Sequence, residues 1–248
     1  MSKQSGLGDA LLVGGYDLSG DVGELSKISG NVALLDVTPI NVFAPVRIGG
    51  LRDGSIAYKA FFNPTTGQEH TVLSALPTAD QHLMYCRGTT LGNPSACMIA
   101  KQLNYDPTRD AKGMLTFAIQ ADANGFGLEW GRLLTAGLRT DTAATNGTGV
   151  DGTASSSFGA QAYLQVTAFT GTDVTVKIQD SADNVSFADV AGLTFTAVTA
   201  AHTTQRIATA NNATIRRYLR AATTTSGGFT SATFAVMINR NQVANQVF

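Results

Sequence analysis

The segment KIQDSADNVSFADV, residues 177–190, gathers Asp180, Asp183, Asn184 and Asp189 within ten positions. Oxygen ligands clustered in this way could hold calcium, and paired carboxylates could share general acid and base roles. Neither chemistry fits the spacing. A calcium loop wants alternating oxygen ligands with a glycine bend and a closing glutamate, and DSADNVSFADV has neither glycine nor glutamate. A carboxylate pair needs an apolar pocket to separate its two pKa values, which a short polar loop does not offer. Asp and Asn do suit a turn, because their side chains bond nearby backbone groups. The segment DVTVKIQD before the turn alternates Val174, Val176 and Ile178 inward with Thr175, Lys177 and Gln179 outward, so a strand–turn–strand connection is expected.

Other reactive residue types are as thinly spread. The three histidines, His70, His82 and His202, lie far apart without metal-ligand spacing, and no G-x-S-x-G elbow occurs. No catalytic residue, metal site or cofactor is expected, and the chain does not read as an enzyme. SGLGD at the start lacks a third glycine and a preceding strand, so it reads as a flexible arm. Cys86 and Cys97 flank the turn residues GTTLGNPS. A disulfide across such a hairpin is conceivable, whereas a reducing compartment favours two half-buried thiols. The basic run TIRRYLR interleaves Tyr218 with Arg216, Arg217 and Arg220 and could stack sugars or bases, or simply form a solvated strand face. Trp130, the one tryptophan, stands between apolar neighbours in GLEWGRLL and reads as core.

The elements that would position these residues are almost all strands. Gly, Thr and β-branched residues interrupt nearly every window long enough for a helix. One short helix is expected at EHTVLSAL (69–76), with Val72, Leu73 and Leu76 on one side and Pro77 as its stop. GSIAYKAFF (54–62) places Ile56, Tyr58, Ala60 and Phe62 on one face, and KGMLTFAIQAD (112–122) does the same with Leu115, Phe117, Ile119 and Ala121. From 143 to 159 the chain is rich in Gly, Ser and Thr without hydrophobic period, as a linker would be. Strand-like segments resume at the short regular spacing of a β-sandwich. The expected organisation is a first domain over 1–142, a linker over 143–159 and a C-terminal β-sandwich over 160–248.

Composition excludes several classes. With 14% charged residues and a formal net charge of −1, the 17 Lys and Arg are scattered among 18 acids, which argues against specific duplex binding. Such a weakly charged surface suits packing against copies of itself. The opening residues carry no signal-peptide pattern, and no apolar run has spanning length, so synthesis in a cytoplasm without membrane insertion is expected.

Several stretches carry a family likeness: YDLSGDVGEL, RIGGLRDGSIAYKAFFNP, HTVLSALPTAD, KQLNYDPTRD, NGFGLEWGRLLTAGLRTDTAATNG, AYLQVTAFTGTDVTVKIQDSADNVSFADV and QRIATANNATIRRYLR. Over nearly the whole chain, and most weakly at 142–158, it resembles the major tail protein, or tail-tube subunit, of long-tailed (siphovirus-type) actinobacteriophages. The resemblance implies an all-β fold with one short helix, a tail-tube-like two-sheet sandwich or barrel followed by a second β-sandwich on the tube exterior. It also implies a structural virion protein, made in the host bacterial cytoplasm and located in the tail. Copies would self-assemble into stacked, six-membered rings as the conduit for genome DNA.

The implied partners are the chain itself, other phage tail proteins and phage DNA that passes through the lumen without specific binding. The expected wall is neutral to acidic, and the first 142 residues carry 13 acids against 11 bases. Inter-subunit contact candidates are Leu7, Leu11, Val42, Phe43, Val46, Arg47, Arg52 and Asp53. Residues 1–10 and 29–50 are apolar or glycine-punctuated without clean period and are expected to order against a neighbour. The alternative is a capsid-decorating or host-glycan-binding protein, with Arg216, Tyr218 and Arg220 as the exterior glycan contact and Trp130 or Tyr218 as a stacking platform.

Overall fold

The computed structural model describes residues 5–244. In chain order the first elements are β1 (Ala10–Val13), β2 (Tyr16–Asp17), β3 (Val22–Asp36), β4 (Arg47–Phe61), α1 (Glu69–Leu73), β5 (Gln81–Cys86) and β6 (Pro94–Gln102). They are followed by β7 (Asp106–Arg109), β8 (Leu115–Ala123), β9 (Glu129–Leu133), β10 (Arg139–Asp141) and β11 (Val150–Asp151). The last are β12 (Ala160–Gly171), β13 (Thr175–Ser181), β14 (Ala188–Thr194), β15 (Thr203–Ala208), β16 (Tyr218–Thr224) and β17 (Phe229–Arg240). The fold is all-β with one short helix, as the strand periods require. No helix among the described residues is long and apolar enough to cross a membrane.

Two compact units share the chain, and they interleave. The first comprises the chain up to Gly20, then His82–Cys97, then everything from Trp130 onward; the second comprises Asp21–Gln81 and Met98–Glu129. This division differs from the single cut drawn after residue 142 on composition. A glycine- and threonine-rich stretch need not be a spacer when its backbone finds ladder partners. Within 143–159, β11 pairs with β16, Ser156 exchanges backbone bonds with Ile215 at 2.9 and 2.7 Å, and Val150 is buried.

In the first unit one sheet runs β15-β12-β17-β9-β6-β5-β1-β2 and a second runs β11-β16-β13-β14. Their facing sides share one core, in which Phe234, Val236 and Ile238 of β17 meet Val176 and Ile178 of β13 and Leu219 and Ala221 of β16. Strands from 160–248 enter both sheets, and so do β9 and β11 from before residue 160. The inward set Val174, Val176 and Ile178 is buried as its alternation dictates. β17 is central and buried on both faces, since Ala235 and Met237 are as inaccessible as their neighbours. Gln165 is buried, accepting from Gly15 N–H at 2.7 Å and donating to the His82 carbonyl at 2.8 Å.

In the second unit β4 lies between β3 and β8. Its inward residues Ile56, Tyr58 and Ala60 pack with Phe117, Ile119 and Ala121 of β8, all buried. The helix ends at Leu73, short of the expected Leu76. Leu76 instead adopts φ +45° and is 45% exposed, because Ser74 N–H already closes the turn on His70 at 3.1 Å and Pro77 forbids continuation. Phe62 likewise leaves the face shared by Ile56, Tyr58 and Ala60 and is exposed once β4 has ended.

Candidate assembly interface

The second unit's β3 and β4 form an antiparallel hairpin paired from Val22↔Ala60 out to Asp36↔Arg47. Near its root the hairpin is one layer of a packed sheet. β8 supports β4 only from Phe61↔Thr116 to Ser55↔Asp122, and the Gly127 segment lies over Asp53 and Arg52, so beyond Arg52 the ribbon has two strands and both faces are open. Gly54 marks the exit: a Cβ there would lie 2.6 Å from the Leu128 backbone nitrogen, so only glycine lets this crossing segment close over the strand.

The free half is ordered locally. Asp36 Oδ1 accepts from Thr38 N–H at 2.9 Å and Thr38 Oγ1 at 2.6 Å, which holds the Asp36 carboxyl below the usual range. Val46 N–H donates to Thr38 Oγ1 at 2.8 Å, and Val37 N–H donates to the Val46 carbonyl at 2.9 Å. On this fixed frame ten large apolar side chains are at least 40% exposed: Val32, Leu34, Leu35, Val37, Ile40, Val42, Phe43, Val46, Ile48 and Leu51. Ile40 and Phe43 at the tip, 107% and 108%, touch nothing that shields them. An isolated two-stranded hairpin is at best marginal in water, and a contiguous apolar patch of this kind marks an interaction surface.

Six of the eight contact candidates fall on this ribbon or its tip: Val42, Phe43, Val46, Arg47, Arg52 and Asp53, all exposed. Leu7 is elsewhere, 88% exposed ahead of β1. Leu11 is 1% exposed, held in β1 where it pairs with Tyr85 of β5, so it serves the fold and not a contact. Part of the expected arm is also fastened within its own subunit: Asp9 meets Arg87 at 2.7 Å, Tyr85 Oη at 2.5 Å and Gly88 N–H at 2.9 Å. Residues 1–4 of that arm lie outside the described residues. The apolar positions without clean period, Leu34, Leu35, Ile40, Ile48 and Leu51, were the signal for the rest of the exposed apolar patch.

The proposed glycan contacts are brought together but internally engaged. Arg217 lies over the Tyr218 ring at 4.9 Å. Arg220 donates from Nε to Gln179 at 2.8 Å and stacks over Phe187 at 4.1 Å. Arg216 N–H caps Asp180 at 2.9 Å. Trp130, expected in the core, is 50% exposed, since it occupies the outward position of β9 between the buried Glu129 and half-buried Gly131.

The acidic segment is a turn. Asp183 Oδ1 accepts from Ser181 Oγ at 2.7 Å, Val185 N–H at 2.9 Å and Ser186 N–H at 2.8 Å, which pulls its carboxyl far below the ordinary range. Asn184 takes φ +61° at the bend, and Asp189 pairs with Lys177 at 2.8 Å. Cys86 and Cys97 are not joined in a disulfide and are fully buried rather than half-buried. Burial pushes the Cys86 thiol up to about 12. Among the described residues no three His, Cys, Asp or Glu side chains converge as metal ligands.

Sequence reading gave no hint of one buried acid. Glu69, at the first turn of α1, is 0% exposed. Its Oε2 accepts from Tyr105 Oη at 3.1 Å, and its Oε1 has no partner. Asp21 stands beside it and accepts from Glu69 N–H at 3.1 Å and Asn63 Nδ2 at 2.8 Å. Burial raises the Glu69 carboxyl above its usual range, and the Asp21 charge adds to the rise.

No protein-family model matches this chain, and no curated protein matches it. Among solved structures it is similar to the crystal structure of SPP1 Dit (gp 19.1) protein, titled a paradigm of hub adsorption apparatus in Gram-positive infecting phages. That likeness covers 94% of this chain and 99% of the other at 13% identity and TM-score 0.34. It is also similar to a chain in the phage p2 baseplate in its activated conformation with Sr, over 94% and 98% at 8% identity and TM-score 0.32. Likeness at this level fixes neither family nor role.

Proposed function

We propose that this chain is a structural subunit of a long phage tail, one that joins copies of itself into stacked six-membered rings forming the tail tube. The reading rests on the sequence stretches that resemble tail-tube subunits and, above all, on the bare apolar β3–β4 ribbon. A subunit that lives alone would have to keep ten apolar side chains in water; a ring neighbour that covers them turns the same residues into an adhesive. A heterologous contact of this sort closes into a ring and also covers the unpaired strand edges. The second unit, which carries the ribbon, has ten acids against seven bases, a balance under which DNA would pass without adhering.

Electron microscopy of the purified full chain, paired with its mass in solution over a concentration series, tests the reading. Stacked rings with a hole wide enough for duplex DNA are expected, and a variant carrying Ile40→Asp and Phe43→Asp is expected to stay monomeric with an unchanged circular dichroism spectrum. Unstacked single rings would keep self-assembly and remove the tube. A wild-type chain that remains a monomer at every concentration would overturn both.

A further inference from the structure

The first unit contains a cavity of about 420 Å³ that the tail assignment does not use. Trp130 and Arg132 line it from the outward face of β9, and Asn239, Arg240 and Gln242 line it from the end of β17 and the residues after it. Leu219 and Ile238 supply an apolar floor. Gly131 makes the wall possible: a Cβ there would meet the Ile238 carbonyl oxygen at 2.1 Å, so β9 can lie against β17 only without a side chain at that point. The Trp130 ring is braced edge-on by Tyr85, with centroids 6.2 Å apart and planes at 88°.

The charges in this cavity are unbalanced. The Arg132 side chain donates from Nη1 to the Asp151 carbonyl at 3.3 Å. Arg240 reaches only carbonyl oxygens, those of Arg216 at 3.3 Å and Gly152 at 2.5 Å, and its buried Nε has no partner. The carboxylate nearby, Asp151, is committed to Arg217, which grips it through Nε at 2.7 Å and Nη2 at 2.6 Å. Two guanidiniums are thus held close and share one carboxylate, Asp151, that Arg217 already grips. Burial and the charge of Arg132 press against the ionised form of Arg240, while the Asp151 charge favours it.

We propose that this cavity binds one acidic saccharide residue, its ring against Trp130 and its carboxylate between Arg132 and Arg240. Tryptophan offers an apolar face to a sugar ring, guanidiniums grip a carboxylate through paired N–H donors, and the Asn239 and Gln242 amides suit hydroxyls. The volume is that of a small-molecule pocket rather than of a groove tracking a nucleic-acid strand. The inference stands apart from the tail assignment and holds whether or not the chain assembles.

Trp130 is the one tryptophan of the chain, so intrinsic fluorescence of the full-length protein reports on this cavity directly. Titration with digalacturonic acid is expected to give a saturable change, and its methyl ester, the same rings without charge, little or none. Arg240→Gln and Arg132→Gln are each expected to weaken binding roughly tenfold or more, with circular dichroism unchanged. Equal responses to acid and ester, the same response to inorganic phosphate alone, tighter binding of a single-stranded oligonucleotide, or no response at all would each overturn the proposal. Arginine variants that bind as wild type would overturn it as well.

Discussion

Glu69 shows how one carboxyl can set the pH response of a unit. It faces Asp21, Tyr58 and Tyr105 from other elements and His70 from its own. Folding raises its pKa, so its contribution to stability is fully present below the ordinary glutamate range and is lost as the pH climbs through the raised value. Glu69→Gln keeps the shape and removes the charge. Its melting temperature, compared with wild type from about pH 4 to about pH 8, is expected to gain on wild type as the pH rises; parallel curves would sink the idea. The lowered carboxyls of Asp151, Asp183 and Asp189 are common to both proteins and cancel in the difference. Asp141 is the opposite case, a buried acid with a partner, paired with Arg139 at 2.9 Å and receiving Thr223 Oγ1 at 2.8 Å. Asp141→Ala leaves that arginine uncompensated and is expected to cost about 3 kcal/mol in urea unfolding. Neither acid was legible in the sequence, because burial of a polar residue depends on which distant strands close over it. The turn at Asp183 was legible, since its partners lie within three residues of it.

Among elements, alternation carried most of the information. β4, β8 and β13 bury the faces their spacing dictates, because a strand's period follows from its own backbone. Trp130 was misread because the leucines of GLEWGRLL set the expectation, whereas its parity on β9 points it outward. The β3–β4 ribbon was visible only as apolar residues without a period, since a strand with two wet faces has no inner side to alternate toward. Replacing residues 33–51 of the ribbon by a two-residue Asn-Gly turn, which joins the paired Val32 and Arg52, removes nothing that β8 covers. The shortened protein is therefore expected to melt within about 0.5 kcal/mol of wild type by calorimetry while losing assembly. A large fall in stability would mean that the ribbon belongs to the fold. In the sandwich, by contrast, Phe234 is fully buried, and Phe234→Ala is expected to cost about 3–5 kcal/mol in the same measurement.

At the level of the whole molecule the chain crosses between its two units four times. A fragment ending at residue 142 would therefore not be a domain. It would strip β9 and β10 of β17, which pairs with them at Leu133↔Met237 and Arg139↔Phe234. Such a fragment is expected to be insoluble or to lack near-ultraviolet circular dichroism, and a soluble, cooperatively melting product would contradict the interleaved division.

The interleaving also sets an order in time. The turn after β1 is completed by Gln165 and by His202, whose ring stacks on Tyr16 at 3.8 Å, and β9 must wait for β17. During synthesis the earliest strands leave the ribosome many residues before their partners exist. The exposed apolar ribbon emerges in that same interval, so crowded polysomes would bring ribbons together before the chains that carry them are finished. Slow, well-spaced translation, or a chaperone that shields residues 32–51, would then govern how much of the chain folds before ribbons meet.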